Sequence, residues 1–485
     1  MKIGVLAGRA GIALPSQGGA QVTGFAIDHR KVAPGTVFGA FQGGTVNGED
    51  FIPAALAAGA IAVVARPEAK VSGAEHLADT NPRRAFALLA AQFFTPVPAT
   101  IVAVTGTNGK TSCVEMTRQI WRMTGERAAS IGTLGVTTAD ESISTGLTTP
   151  DIVTFLANMS GLAREGVTHV AYEASSHGLS QYRNEGLSVL AGGFTNLSRD
   201  HLDYHKDMDD YFAAKMRLFD EVVADGGTAV VWMDDAWSAR AADHAQRRGL
   251  RLLGVGEHAD ADGIRLRSRT PGQLGQTLEI EYQGTARTVK LPLIGAYQAA
   301  NALVSAGLVL ATGSSAPQVF DALSRLQPVR GRLERAAISR AGAPVYIDYA
   351  HTADALEAAI AALRPHCGGR LIVVLGAGGD RDQGKRPAMG RVAAEQADLG
   401  IVTDDNPRGE DPAAIRAAVL AGGAGALREI GERRAAIAAA IAEAGHDDIV
   451  LVAGKGHEQG QIFGAGEQTR VMPFDDVAVA RECAA

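Results

Sequence analysis

Cysteine is nearly absent: Cys113, Cys367 and Cys483 lie far apart in 485 residues, with no Cys-x-x-Cys pair. That excludes a disulfide framework and a zinc ribbon, and it suits a reducing compartment. Blocks of Lys and Arg are also missing, and the net charge is −7. A nucleic-acid partner, which calls for a basic footprint, is therefore not expected. No apolar run reaches the length of about 18 residues that a membrane span needs, so no membrane insertion is expected. The stretch Met1–Ala20 is too broken by glycine for a secretion signal, and the expected location is the cytoplasm. Gly and Pro number 58 and 18, too few for a low-complexity chain.

What remains is a chain long enough for about three domains. Short β-branched apolar runs alternate with Ala/Leu-rich stretches, the pattern of α/β domains with mostly parallel sheets. The first domain is expected over 1–97, with strands Thr36–Phe41 and Ala60–Ala65 around a helix Asp50–Ala58, closing at Pro96-Val97-Pro98. The second is expected over 98–327, with strands Ile101–Val104, Val167–Tyr172, Val189–Phe194 and Thr228–Met233. Period-two alternation between Ile264 and Ile294 predicts a small antiparallel insert, followed by a helix Ala296–Ala311. The third is expected over 328–485, with strands Pro344–Ile347, Leu371–Leu375, Gly400–Thr403 and Ile449–Ala453. Helices over Pro412–Gly445 should break at Gly422-Gly423.

The strongest local signal is Gly106-Thr107-Asn108-Gly109-Lys110-Thr111-Ser112 after an apolar strand. Backbone N–H groups at a helix start, together with the helix dipole, bind polyphosphate. Lys110 would reach the outer phosphates and the Thr111 hydroxyl would ligate Mg²⁺. The full P-loop pattern wants glycine at 104, where Val104 stands, so this is a short variant. A second glycine-rich turn, Gly376-Ala377-Gly378-Gly379-Asp380-Arg381, begins like a dinucleotide fingerprint but has Arg381 where the third glycine belongs.

Glu173 closes the Val167–Tyr172 run, where ligands collect beyond the carboxyl ends of parallel strands. The Val189–Phe194 run ends in Thr195-Asn196-Leu197-Ser198-Arg199-Asp200-His201-Leu202-Asp203-Tyr204-His205. In a parallel sheet both ends fall beside the phosphate loop, and Glu173 and His201 could reach Mg²⁺ there. His201 and His205 have the spacing of a helical zinc pair, but Leu202 stands where a general base would be needed. His205 by itself is expected at the surface or the edge of the core. Lys215, in Tyr211–Phe219, reads by its chemistry alone as a solvated helix lysine.

In order, Thr148-Thr149-Pro150, Glu173-Ala174-Ser175-Ser176-His177, Gln181-x-Arg183, the Thr195–His205 segment and Tyr211-x-x-x-Lys215 follow the loop. Then come Gly331-Arg332-Leu333-Glu334, Asp348-Tyr349-Ala350-His351-Thr352, Gly379-Asp380-Arg381-Asp382, Asp405-Asn406-Pro407-Arg408 and Gly454-Lys455-Gly456-His457-Glu458. This series, from Asp28 to Glu458, resembles the Mur ligase family. The resemblance implies three domains: an N-terminal UDP-binding domain, a central P-loop ATPase-like domain and a C-terminal Rossmann-like domain. It implies an ATP- and Mg²⁺-dependent amide ligase of peptidoglycan precursor synthesis; separately, a monomer is expected. The reaction would join meso-2,6-diaminopimelate to the D-glutamyl carboxylate of UDP-N-acetylmuramoyl-L-Ala-D-Glu through an acyl phosphate.

By the same resemblance Lys110, Glu173, His201 and Lys215 are catalytic. Thr111, Glu173, His201 and Lys215 hold metal, Lys215 as a carbamate (N6-carboxylysine). Gly106, Thr107, Asn108, Gly109, Lys110, Thr111, Ser112, Asn301, Arg332 and Asp348 seat ATP. Ile27, His29, Thr148, Thr149, Ser175, Gln181 and Arg183 hold the UDP substrate. Arg381, Asp405, Asn406, Pro407, Arg408, Gly454 and Glu458 hold diaminopimelate. Arg408 would grip the second carboxylate that distinguishes diaminopimelate from lysine, because a guanidinium can pair a carboxylate bidentately. His29 stands where the family pattern has a hydroxyl, and Gln298 where relatives often carry Asn.

Overall fold

The computed structural model describes residues 1–12, 18–43, 46–139, 142–143, 148–202, 204–272, 274–380 and 382–485. Contacts divide the chain into two compact units. One is Met1–Arg265 with Leu303–Val319, and the other is Leu266–Ala302 with Phe320–Ala485.

In the first unit, strands Gly24–Ala26, Thr36–Gly39, Ala62–Ala65 and Glu75–Ala78 form a four-stranded parallel sheet in that order. Helix Pro82–Phe93 closes one face. Pro82 at its start spares a backbone donor, and the Asn81 side chain accepts from the Arg84 N–H. Phe86 of this helix meets Phe25 edge-on at 5.4 Å, inside the core.

The larger sheet of this unit runs Arg251–Gly256, Val223–Trp232, Val189–Phe194, Thr100–Thr105, His169–Glu173 and Ala128–Gly132, all parallel. Thr100–Thr105 lies in the middle, and Ile101, Val102, Ala103 and Val104 are buried. A strand covered on both faces has no polar side to alternate with, hence the unbroken apolar run. The register puts Val104 beside Glu173 and Thr105 beside Phe194. The three strand ends that carry the expected chemistry are thus adjacent. Val223–Trp232 begins five residues before its predicted start. Asp225-Gly226-Gly227 reads as a turn in sequence, and here it is a register shift within the strand.

In the second unit, Gly275–Tyr282 and Thr285–Leu291 pair antiparallel, as the alternation predicts. Gln283 and Gly284 both have positive φ, 50° and 70°, the backbone of a two-residue hairpin turn. A six-stranded sheet follows in the order Glu334–Ile338, Pro344–Asp348, Ile449–Ala453, Leu371–Leu375, Leu399–Val402 and Arg428–Glu429. It is parallel after its first pair. Helices Pro412–Leu420 and Arg433–Glu443 part around Gly422-Gly423.

Beneath this sheet Arg433 and Asp476, both with fully buried side chains, pair at 2.7 Å. Arg433 also donates to the carbonyls of Asp404 and Ala453, each one residue before an expected amino-acid-binding segment. Asp476→Ala strands a guanidinium in the core and should cost about 3–5 kcal/mol of stability. Urea unfolding checks this; a midpoint equal to the parent's rejects it.

Candidate active site

Gly106 follows the central strand with φ +146°, and Gly109 (φ +88°) precedes the helix Lys110–Met123. A Cβ on Gly106 would come within 1.9 Å of the Thr195 hydroxyl. The neighbouring strand end braces the loop. The Thr195 hydroxyl and the Asn196 amide donate to the Asn108 carbonyl, and the Asn108 N–H donates to Asn196 Oδ1. Thr107 N–H donates to the Asn196 carbonyl, and Ser198 N–H to the Thr107 hydroxyl. These bonds hold the turn before any phosphate arrives, and Thr111 and Ser112 sit buried at the helix start. Gly106→Ala forces this turn apart and should lower turnover by about 10²-fold, the scale of an ångström's misplacement. Steady-state kinetics beside a thermal melt separates that effect from unfolding, and parent-like turnover rejects it.

Lys110 Nζ donates to the carbonyls of Gly106 (2.9 Å) and Thr107 (2.7 Å). Lys215 Nζ donates to the same Gly106 carbonyl at 2.7 Å. The expectation of a solvated Lys215 is therefore overturned. It is 1% exposed, on the inner face of helix Met208–Arg217, with its ammonium over the Tyr211 ring at 4.3 Å. Burial, and then the neighbouring Lys110 charge, hold its amine well below the usual lysine range.

Glu173 is 2% exposed and accepts the Thr133 N–H at 2.7 Å and its hydroxyl at 3.3 Å. The Thr133 and Thr148 hydroxyls lie 3.1 Å apart. The Thr149 hydroxyl donates to the Glu173 carbonyl and lies 2.9 Å from that of Ser175. Arg183 donates to the Thr149 carbonyl and, through two nitrogens, to Gln181 Oε1; the Gln181 amide reaches Tyr204. Five of the seven residues expected to hold the UDP substrate thus form one continuous network with Glu173. Ile27 and His29 belong to the four-stranded part. Ile27 is exposed, and His29 stacks on Phe51 at 4.5 Å with the rings 4° from parallel. A flat ring thus stands where the family pattern has a hydroxyl.

His201 is half exposed, with φ +53° and its Nε2 3.6 Å from Asp200. His177 lies edge-on to it at 5.0 Å. His205 is not at the surface: it is 3% exposed against Tyr211, because the turn after Asp200 tucks it under the helix that carries Lys215. Among the described residues no three His, Cys, Asp or Glu side chains gather into a metal-binding group.

In the second unit Asp348 accepts the Leu333 N–H at 2.7 Å, and burial pushes its carboxyl up to about 6 against the opposing pull of Arg332. Arg332 lies over the Tyr349 ring, and the Gln298 amide donates to the Arg332 carbonyl. Gln298 thus supports the backbone of an expected ATP residue, while Asn301 is buried nearby in the same helix, Ala296–Ala311.

Asp405, Asn406, Pro407 and Arg408 follow the strand Leu399–Val402, and Gly454–Glu458 follows Ile449–Ala453. Asn406 Nδ2 donates to Glu458 at 2.7 Å. Gly454 has φ +119°, and a Cβ there would meet the Asp405 carboxylate at 2.6 Å. Arg408 adopts φ +51° and donates to the Gly379 carbonyl at 2.9 Å. The glycines of the false fingerprint have a packing role: a Cβ on Gly379 would lie 1.9 Å from the Pro407 carbonyl. Arg381 lies outside the described residues. Thr195, Asn196, Gln298 and Lys455 also contact these site residues, and each stands inside or beside one of the sequence motifs.

Three family models match: "Mur ligase family, catalytic domain" over 21–93, "Mur ligase middle domain" over 104–309 and "Mur ligase, glutamate ligase domain" over 331–456. The UDP-N-acetylmuramoyl-L-alanyl-D-glutamate–2,6-diaminopimelate ligase of Zymomonas mobilis is 60% identical over 99% of this chain and 98% of its own. The ligase of the same name from Bradyrhizobium diazoefficiens is 52% identical over 98% and 97%. A solved structure of a ligase with that name superposes with a TM-score of 0.75 at 32% identity, covering 100% of this chain and 99% of the other.

Proposed function

The chain belongs to the Mur ligase family, and from that premise we propose that it joins meso-2,6-diaminopimelate to UDP-N-acetylmuramoyl-L-alanyl-D-glutamate. It is an ATP-dependent ligase of peptidoglycan synthesis. One observation carries the chemistry: the phosphate loop and Glu173 sit at adjacent strand ends, buried Lys215 reaches the loop's Gly106 carbonyl from helix Met208–Arg217, and Glu173 is continuous with the Thr149–Ser175–Arg183 network.

A carboxylate is a poor electrophile, and ATP supplies the activation. An oxygen of the D-glutamyl carboxylate attacks the γ-phosphorus, and the bond to ADP breaks. Lys110 spreads the charge that develops on the transferring group. The amine nitrogen of diaminopimelate then attacks the acyl carbon, phosphate leaves, and the amine gives up a proton. Thr149, Ser175, Gln181 and Arg183 orient the substrate so that its carboxylate faces the loop; the enzyme supplies proximity more than acid–base chemistry. Mg²⁺ would neutralise phosphate charge. The hydroxyl of Thr111 and the carboxylate of Glu173 fit a hard cation that takes one or two carboxylates and keeps its waters, and His201 would complete the set. Lys215 fits only as a carbamate, since an ammonium cannot be a ligand. Asn301, Arg332 and Asp348 bind ATP, and Arg408 and Glu458 hold diaminopimelate.

The division into domains 1–97, 98–327 and 328–485 is part of this reading and gives each substrate its own module. A monomer in the cytoplasm is the simplest form of this reading. Among the described residues no helix is long and apolar enough to cross a membrane.

ADP release tests the reaction. It should require both the UDP-linked dipeptide and diaminopimelate, with lysine a poor substitute. ADP release without the amine, or equal use of lysine, rejects the proposal.

A further inference from the structure

The Lys455 side chain is fully buried, yet its ammonium meets two residues of the amino-acid site. Nζ donates to Asn406 Oδ1 at 2.8 Å and to Glu458 Oε2 at 3.2 Å. Burying an ammonium is unfavourable unless it is paired, and a methionine would fill a similar volume without that cost. Lysine can only donate, so the atom of Asn406 that faces it must be the oxygen. The Ile462 N–H donates to the same oxygen at 3.0 Å. That leaves the Asn406 amide nitrogen to bond Glu458, as it does. Lys455 thus adds a buried, charged tie between the Asp405–Arg408 and Gly454–Glu458 turns and fixes the amide orientation on which the direct Asn406–Glu458 bond depends.

We propose that Lys455 is a positioning residue for amino-acid selection: it holds Asn406 and Glu458, and through that turn Arg408, in the one arrangement that accepts diaminopimelate. The inference rests on the proposed function, because it needs that amino acid as the ligand. Beside the two turns, the buried Arg433 is held charged by Asp476 and, after it, by Asp405 and Glu458.

The test compares K455M and K455Q with the parent, measuring KM for each of the three substrates, kcat and the melting temperature. KM for diaminopimelate should rise about tenfold or more, as when a supporting partner of a ligand group is lost. KM for ATP and for the UDP-linked dipeptide should stay within about twofold. The preference for diaminopimelate over lysine should fall in parallel. K455Q keeps a donor and no buried charge, so it is read by the same criteria if K455M does not fold. Three KM values rising together, a fall in kcat alone, or no change each overturns the proposal. The parent is assayed first: if it does not use diaminopimelate, the functional reading fails rather than the role of Lys455.

Discussion

Lys215→Ala should lower turnover by about 10³-fold or more, the scale on which losing a fixed charge-stabilising group acts. The argument starts from an unfavourable arrangement. Two ammonium groups share the Gly106 carbonyl, and burial and then the Lys110 charge outweigh the attraction of Asp200. Both terms favour the neutral amine, so at neutral pH a larger share of Lys215 is nucleophilic than of an ordinary lysine. A neutral amine adds to CO₂: an N–C bond forms, a proton leaves, and a carbamate anion results. The group then attracts Lys110 instead of repelling it. Lys215→Arg keeps the cation but cannot make this conversion, so it should be as inactive as Lys215→Ala. Short carboxylic acids should partly rescue the alanine variant, because they return an anionic oxygen pair to the vacated space. Turnover in CO₂-depleted buffer, with and without bicarbonate, reads the same chemistry in the parent. Parent-like activity in either variant, or in the depleted buffer, would sink the carbamate.

Arg408→Ala should reduce kcat/KM for diaminopimelate by about 10²- to 10³-fold, as when one side of a partly buried charge pair is removed. Activity with lysine should fall far less, so the preference between the two collapses. The backbone places this side chain. Arg408 N–H donates to the Ile462 carbonyl, its own carbonyl accepts from Gly464, and φ is +51°. Holding a non-glycine residue there costs energy, and the surrounding bonds impose it. Arg408→Lys keeps the charge but loses the fork, so it should recover only part of the loss. Competition assays with both amino acids present measure the ratio directly. An unchanged ratio would show that another group reads the second carboxylate.

Several elements were legible residue for residue. Val189–Phe194, Leu371–Leu375, Ile449–Ala453 and Ala296–Ala311 match their predicted limits. The three strands are short runs of apolar and glycine residues bounded by turns, and the helix is mostly Ala, Leu and Val after its first turn, so local and tertiary preferences agree. The early start of Val223–Trp232 was not legible, because Asp225-Gly226-Gly227 spells a turn, and the strand absorbs it as a register shift between its pairs at Val223 and Thr228. The phosphate loop was legible because its chemistry is local. The burial of Lys215 was not: Met208–Arg217 carries Asp209 and Asp210 before it and Arg217 after it, and its inward turn depends on the Gly106 carbonyl, 109 positions away. Family resemblance supplied that residue; composition argued against it. The links among Asn406, Lys455 and Glu458 join two loops some fifty positions apart, a distance no local pattern spans.

Gly106 has a consequence for inhibition. A compound seated against its carbonyl would face a position closed to escape mutation, because any side chain there collides with the Thr195 hydroxyl. Thr195 is itself engaged in holding Asn108. Resistance would need both positions to change together, with the loop still intact at every intermediate.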